Sequence, residues 1–289
     1  MPIHIGIAYF ATGANRAVYA ALPTLARPTA LEWTIDQYAF HAVGSEDEEC
    51  LRRYAAQGTL IGHGVHFSIF AAPGNDINEC WLRGLRQDPY LSFYERVSVH
   101  FGFSTGWKIK RGAPFPAPLH PAALSAGLHN LEKLARTASC RVGLENLALA
   151  FSMRDVEDQG RFLDKLLTPC DGYLLLDIHN LYCQMKNFGI PLMTLAAYYP
   201  LNRVEEIHVS GGSWCEHIAQ GSRRKLRRDT HNDAVPEELF SFLAELLPCC
   251  PNLKYVVLEQ MPEALTSPEQ QRQFIADYAT LKTLVVNHA

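Results

Sequence analysis

The run GYLLLDIHN at residues 172–180 decides the fold: an apolar stretch, LLL, runs straight into Asp177, with His179 and Asn180 just beyond it. Seven further short β-rich runs share this character. They are IHIGIAYF (3–10), LEWTIDQY (31–38), TLIGHGVHFS (59–68), RVSVHFGF (96–103), RVGLENLAL (141–149), RVEEIHVSG (203–211) and KYVVLEQM (254–261). Between them lie segments such as AALSAGLHNLEKLART (122–137), with apolar residues at three- and four-residue spacing, and PEELFSFLAELL (236–247). Strand–helix alternation predicts a parallel sheet with helical crossovers, and eight units predict closure into an α/β (β/α)₈ barrel. The alternative, an open doubly wound sheet, lacks its usual mark, since no GxGxxG or Walker-type loop follows any strand. No Ser/Gly linker divides the chain, so residues 1–289 are expected to form a single domain. The Pro-rich stretch GAPFPAPLHP (112–121) is expected to be a long βα loop over the barrel mouth.

Composition narrows the class of protein. The 289 residues are 48% hydrophobic and 19% charged, with a formal net charge of -4, which suits a large core and excludes disorder as the main state. No stretch approaches the roughly 18 uninterrupted apolar residues of a membrane span. The N-terminus MPIHIGIAYF reads as a core strand and lacks the basic n-region of a secretory signal, so a cytoplasmic protein is expected. Eight cysteines (50, 80, 140, 170, 183, 215, 249, 250) are scattered without CxxC spacing and are expected to be reduced. The overall acidity argues against a broad nucleic-acid surface and makes nucleic acid an unlikely partner.

The runs carry their candidate chemistry at one end only. His63 ends the third strand, His100 the fourth, Glu145 the fifth, Asp177 the sixth, His208 the seventh and Glu259 the eighth, with Asp229 and His231 in the seventh loop. In a barrel the C-terminal strand ends converge on one mouth, so these side chains would share a cavity. Carboxylates crowded there without cations would repel and raise one another's pKa. Imidazoles interleaved with carboxylates are what divalent cations require. Asp229 and His231, two apart in an extended segment, would point the same way and grip one ion. A lone His63 or His208 is more often a hydrogen-bonded core histidine, and Glu145 alone would be an ordinary buried carboxylate. The joint occurrence points instead to a multinuclear metal site. With Asn180 the donors number nine, too many for one ion; two or three ions bridged by Glu145 and Asp177, roughly 3.5–4 Å apart, would share them. Glu145, Asp177 and Asp229 are the candidate catalytic carboxylates. The absence of cysteine among the donors disfavours iron–sulfur clusters and structural zinc. His4, His41, His120, His129 and His288 fall outside the pattern, His66 is at most a supporting residue, and nothing forces His217 into the mouth.

The segments GHGVHFS, VSVHFGFS, LENLALAF, LLLDIHNLYCQMKNFG, EIHVSGG, DTHNDAVP and LEQ resemble those of the multinuclear non-haem iron-dependent oxidases, a family of TIM barrels of xylose-isomerase-like type. The likeness runs from the first strand to the eighth. Its most specific pieces are LLLD-x-x-N-x-Y followed by N-x-G, and the D-T-H segment. The resemblance implies two or three irons in a mixed-valence cluster that activates O₂, with zinc or manganese as other metals such a site takes. It implies a Cys-containing precursor peptide as substrate, as in methanobactin and 3-thiaglutamate biosynthesis, and a small partner protein that presents the peptide in a heterodimer. By position it implies His63, His100, Glu145, Asp177, Asn180, His208, Asp229, His231 and Glu259 as metal ligands, with Asp36 and Gln37 supporting the site. His179, Ser68, Arg223 and Arg224 are further candidates for support or substrate contact. Two positions depart from the family pattern: His179 stands where many members carry Asn, and Gly212 where many carry His. The apurinic endonuclease class of TIM barrels has nearly the same ligand layout for three zinc ions, but carries His where this chain has Asn180, a weaker zinc ligand. A zinc-dependent phosphodiesterase is therefore the alternative reading.

The basic run SRRKLRRD (222–229) places five cations directly before Asp229. It is either a solvated loop or a patch that attracts phosphates or the acidic residues of a peptide or partner.

Overall fold

The computed structural model describes residues 2–23, 27–36, 44–104, 114–219 and 222–288. Eight parallel strands form the barrel: β1 (His4–Tyr9), β2 (Ala30–Thr34), β3 (Leu60–Gly64), β4 (Arg96–His100), β5 (Arg141–Glu145), β6 (Tyr173–Asp177), β7 (Val204–Val209) and β10 (Tyr255–Leu258). They close in the order β1-β10-β7-β6-β5-β4-β3-β2. Each coincides with one of the eight runs read from the sequence. The helices between them include α1 (Gly13–Ala21), α2 (Ser45–Gln57), α3 (Asp76–Gln87), α4 (Pro121–Ala138), α5 (Met153–Leu167), α6 (Ile178–Phe188), α7 (Leu192–Ala196) and α8 (Glu237–Leu246). No helix among the described residues is long and apolar enough to cross a membrane.

Alternation along the strands sorts residues into two environments. Leu174 and Leu176 of β6 face outward and join the large apolar core between barrel and helices. Each is fully buried, worth roughly 1.5–3 kcal/mol of transfer free energy. The lumen has an apolar wall of Ala8, Phe10, Ala30, Ile61, Tyr255 and Val257. The facing wall is polar and runs from Arg96 and Tyr173 at the floor to the strand ends. Tyr173 enters the lumen because β5 offers Gly143 beside it, where a Cβ would lie 2.4 Å from the Tyr173 ring.

The seventh βα connection departs from expectation. Where the basic run reads as a loop, the chain forms an antiparallel hairpin of β8 (Trp214–Ala219) and β9 (Ser222–Arg227). Within the Pro-rich 112–121 segment, residues 112 and 113 lie outside the described residues. Phe115 bridges back to Phe103, and the chain then continues without regular structure to α4.

Candidate metal centre

Strand register brings the candidate ligands together. His100 of β4 lies beside Glu145 of β5, and Asp177 of β6 beside His208 of β7. Glu145 Oε2 faces His63 Nε2 at 3.5 Å and His100 Nε2 at 3.4 Å. Asp177 caps α6, accepting from the Asn180 backbone N–H at 2.6 Å, which fixes His179 and Asn180 in the first turn. The Asn180 side-chain amide donates to Glu145 Oε1 at 3.1 Å. Glu259, one residue beyond β10, faces His208 Nδ1 and His231 Nδ1, each at 3.0 Å. Asp229 Oδ1 meets His231 Nε2 at 2.6 Å. The Asp229–His231 segment is not extended, because His231 adopts a left-handed φ of 48°, yet the turn still brings the two side chains together.

These donors form overlapping triads whose ligand atoms lie within 4.8 Å of one another: His63–His100–Glu145, Glu145–Asp177–His208, and Asp177–His231–Glu259. Glu145 belongs to the first two and Asp177 to the last two. Glu145 Oε2, Asp177 Oδ2 and Asn180 Oδ1 are buried without a hydrogen-bond partner, and His208 Nδ1 and His231 Nδ1 face the Glu259 carboxylate. Orphaned buried polar atoms are costly and require an explanation. Three in one pit, beside two imidazole nitrogens and all of metal-ligating type, fit bound cations.

Three histidines are each pinned through one nitrogen and turn the other to the pit, as metal-binding imidazoles do. His63 Nδ1 pairs with Ser98 Oγ at 2.8 Å, His100 Nδ1 with the Val65 carbonyl at 3.3 Å, and His208 Nε2 with Glu32 Oε2 at 2.8 Å. Ser98, Glu32 and the neighbouring Glu206 escaped the sequence reading. For Ser98 and Glu206 the only signal is the period-2 step from a recognised residue, His100 and His208; Glu32 carries none.

Electrostatics follow the crowding. Burial, then Asp177, Glu259 and Asp229, push Glu145 well above the ordinary carboxylate range despite the opposing His208. Burial and Asp229 push Asp177 up to about 7. Asp229 is held low despite its burial, because His231 and His179 favour its charge. His208 and His231 are raised against burial by their carboxylate neighbours, whereas burial and the rings of His100 and His208 hold His63 well below its ordinary value.

The other candidates occupy distinct places. His179 is fully buried beside the pit with both ring nitrogens engaged: Nδ1 meets Asp229 Oδ1 at 3.1 Å, and Nε2 accepts from Arg227 Nε at 3.3 Å. Gly212 makes room for it, since a Cβ there would lie 2.6 Å from His179 Cε1. Arg227 is buried with its guanidinium over the Tyr182 and Trp214 rings, while Asn187 of the N-x-G segment bonds both its backbone N–H and carbonyl. Asp36 accepts from the backbone N–H groups of Val65 and His66 and from Trp81 Nε1, bracing the turn after β3. His66 adds a 3.5 Å contact to Asp36. Ser68 is buried, and its Oγ accepts from the Ser104 N–H at 3.3 Å. Arg223 and Arg224 are exposed on β9. Gln37 lies outside the described residues. All eight cysteines are free.

A closed (β/α)₈ barrel with a carboxylate- and imidazole-lined pit at its C-terminal mouth defines the class: a TIM barrel whose strand-end side chains could hold metal ions. Solved structures with this fold include endonuclease IV from Thermus thermophilus, at TM-score 0.57 and 17% identity over 97% of this chain and 99% of that one. A xylose isomerase domain protein from Planctomyces limnophilus matches at TM-score 0.62 and 11% identity, covering 99% of this chain and 100% of that one. Among curated relatives, a UPF0276 protein of Chromobacterium violaceum is 28% identical over 198 residues, 68% of each chain. One from Caulobacter vibrioides is 27% identical over 214 residues, 72% of each. Residues 14–267 match the family described as RiPP precursor modification enzyme MbnB/TglH/ChrH, and the chain belongs to that family. The family acts on ribosomally made, post-translationally modified precursor peptides and agrees with the multinuclear oxidase resemblance.

Proposed function

We propose that the chain is a multinuclear iron-dependent oxidase that uses O₂ to modify cysteine residues of a ribosomally made precursor peptide. The observation that carries this reading is the pit's shared carboxylates, Glu145 and Asp177, whose buried Oε2 and Oδ2 have no hydrogen-bond partner. His63, His100 and Glu145 would hold one ion, Glu145, Asp177 and His208 a second, and Asp177, Asn180, Asp229, His231 and Glu259 would supply a third. Iron held there supplies a Lewis acid for a substrate thiolate and an electron route to O₂. Asn180, a weaker zinc ligand than imidazole, favours iron over tightly held zinc in the third position.

The protein's own part is placement and exclusion of water. His63 and His208 are fully or nearly fully buried, whereas the side chains of His100, His231, Asp229 and Glu259 keep 11–13% exposure. Substrate therefore approaches across these four, on the side bounded by the hairpin. Arg223 and Arg224 on β9 would draw acidic residues of the peptide, or of a small partner protein that delivers it, toward that opening.

Elemental analysis of aerobically and anaerobically purified protein, followed by incubation with a Cys-containing precursor peptide and O₂, tests the reading. Two or three irons per chain and an oxidised peptide are expected. Stoichiometric zinc with nicking of abasic DNA would overturn it in favour of a zinc-dependent phosphodiesterase.

A further inference from the structure

Beneath the pit lies a column of buried charge that the ligand set does not use. His208 Nε2 meets Glu32 Oε2 at 2.8 Å and Glu206 Oε1 at 3.6 Å. Glu206 accepts from the Tyr173 hydroxyl at 3.1 Å. The Tyr173 and Tyr255 rings enclose the fully buried Arg96 guanidinium at 4.7 and 4.6 Å. Glu32 on β2 and His208 on β7 are not neighbours in the sheet, so their contact crosses the lumen. Glu32 Oε1 and Glu206 Oε1 have no hydrogen-bond partner.

Two buried carboxylates placed under a pit that already holds four more are costly unless they do something there. The three pinned histidines differ in what holds them. His63 and His100 lean on neutral groups, a serine hydroxyl and a backbone carbonyl, whereas His208 leans on a carboxylate. A carboxylate on the far N–H of a metal-binding imidazole fixes its tautomer and raises its basicity. Nδ1, the nitrogen left free, points into the pit toward Glu259.

We propose that Glu32 is a positioning residue that holds His208 with its Nε2 proton directed into the barrel floor. An ion at Glu145, Asp177 and His208 would thereby be held more tightly and biased toward its higher oxidation state. Glu206, the second carboxylate near His208 Nε2, is itself held by the Tyr173 hydroxyl. This rests on the metal-centre reading above and specifies which residue outside the ligand set tunes the ion that His208 would hold.

The test compares Glu32→Gln and Glu32→Leu with wild type and with Ser98→Ala, reading iron content after dialysis against a graded chelator and the ferric fraction by Mössbauer spectroscopy. Glu32→Gln keeps volume and an acceptor for the N–H but loses the charge. It should weaken retention of one iron about 10-fold and shift that iron toward ferrous, with the Leu variant nearer 100-fold. Ser98→Ala, on a neutral anchor, should leave the ferric fraction unchanged. Wild type that holds iron beside a Glu32→Gln protein identical in iron content and ferric fraction would overturn this inference alone. Wild type that holds no iron would overturn it together with the proposed function. The isosteric variant carries the test even if the Leu variant fails to fold.

Discussion

Replacing Asp177 with asparagine should make the metal-free protein more stable and the metal-loaded protein less so. Asp177 is fully buried, and burial with the nearby Asp229 raises its pKa from 3.8 to about 7. Each unit is worth about 1.4 kcal/mol, so carrying this charge in a pit without cations costs on the order of 4 kcal/mol. Asparagine has the same shape, and as a helix N-cap it serves α6 as well as aspartate does. Its effect on the apoprotein therefore reduces to the removed charge, a gain of about 2–4 kcal/mol near pH 7.5, or roughly 4–8 °C in Tm for a chain of this size. The pH dependence has a definite sign. Between pH 4 and 7 the unfolded Asp177 has lost its proton while the folded one retains it, so the native state binds more protons and wild-type stability falls as pH rises. The advantage of Asp177→Asn should grow across that window, level off above pH 7 and vanish near pH 4. Metal should reverse the order, because wild type gains binding free energy that the variant, short of one shared oxygen, largely forgoes. Thermal melts of chelated and reloaded protein at several pH values measure both arms. An apo variant melting at or below wild type at pH 7.5, or a difference that does not shrink toward pH 4, would refute the reasoning.

Glu145→Ala should abolish peptide oxidation and remove at least one metal ion while the barrel still folds; full metal content with normal turnover would show that Glu145 is no bridge. Metal affinity should rise with pH, because Glu145, Asp177, His208 and His231 are all shifted toward holding protons in the empty pit. Calorimetry in buffers of different ionisation heat should detect more protons released per ion at pH 6 than at pH 8. Gly212→Ala would put a Cβ 2.3 Å from the Arg228 carbonyl and 2.6 Å from His179 Cε1. It should cost about 1–3 kcal/mol and lower metal occupancy by displacing Asp229, read as a reduced Tm and metal count. Reversing charge with Arg223→Glu and Arg224→Glu should weaken precursor binding and flatten its salt dependence with metal content unchanged; binding unaltered at low salt would make the exposed cations a solvated surface.

How much of this the sequence revealed depends on what each residue's neighbours disclose. Asp177 and Glu145 stand out because each follows an apolar run, and strand register then places Asp177 beside His208 and His100 beside Glu145. Glu32 and Glu206 carry the same chemistry but sit inside LEWTIDQY and RVEEIHVSG, where an alternating charge ordinarily marks a solvent-facing position. Only barrel closure carries Glu32 across the lumen to a histidine 176 residues away, and no local pattern encodes that distance. Counting back by two from a recognised ligand would have found Glu206 and Ser98, because the alternation that aims His208 and His100 inward aims them inward too. It would not have found Glu32, whose own ligand-bearing neighbour must first be supplied by the fold.

The basic run fails for a different reason. Its five cations are equivalent by charge count, and SRRKLR has no apolar face to announce a strand. What separates Arg227 from Arg223 and Arg224 is a pair of aromatic rings, Trp214 and Tyr182, together with the amide of Asn187, contributed by the opposite strand and by α6. The N-x-G segment closes α6 at Gly189, which takes the left-handed φ of 76° that such an ending uses. Its asparagine has a second task that no local rule anticipates: pinning the hairpin backbone so that Arg227 reaches His179, and His179 reaches Asp229. A cation run can therefore contain one structural arginine among solvated ones, and only tertiary packing determines which it is.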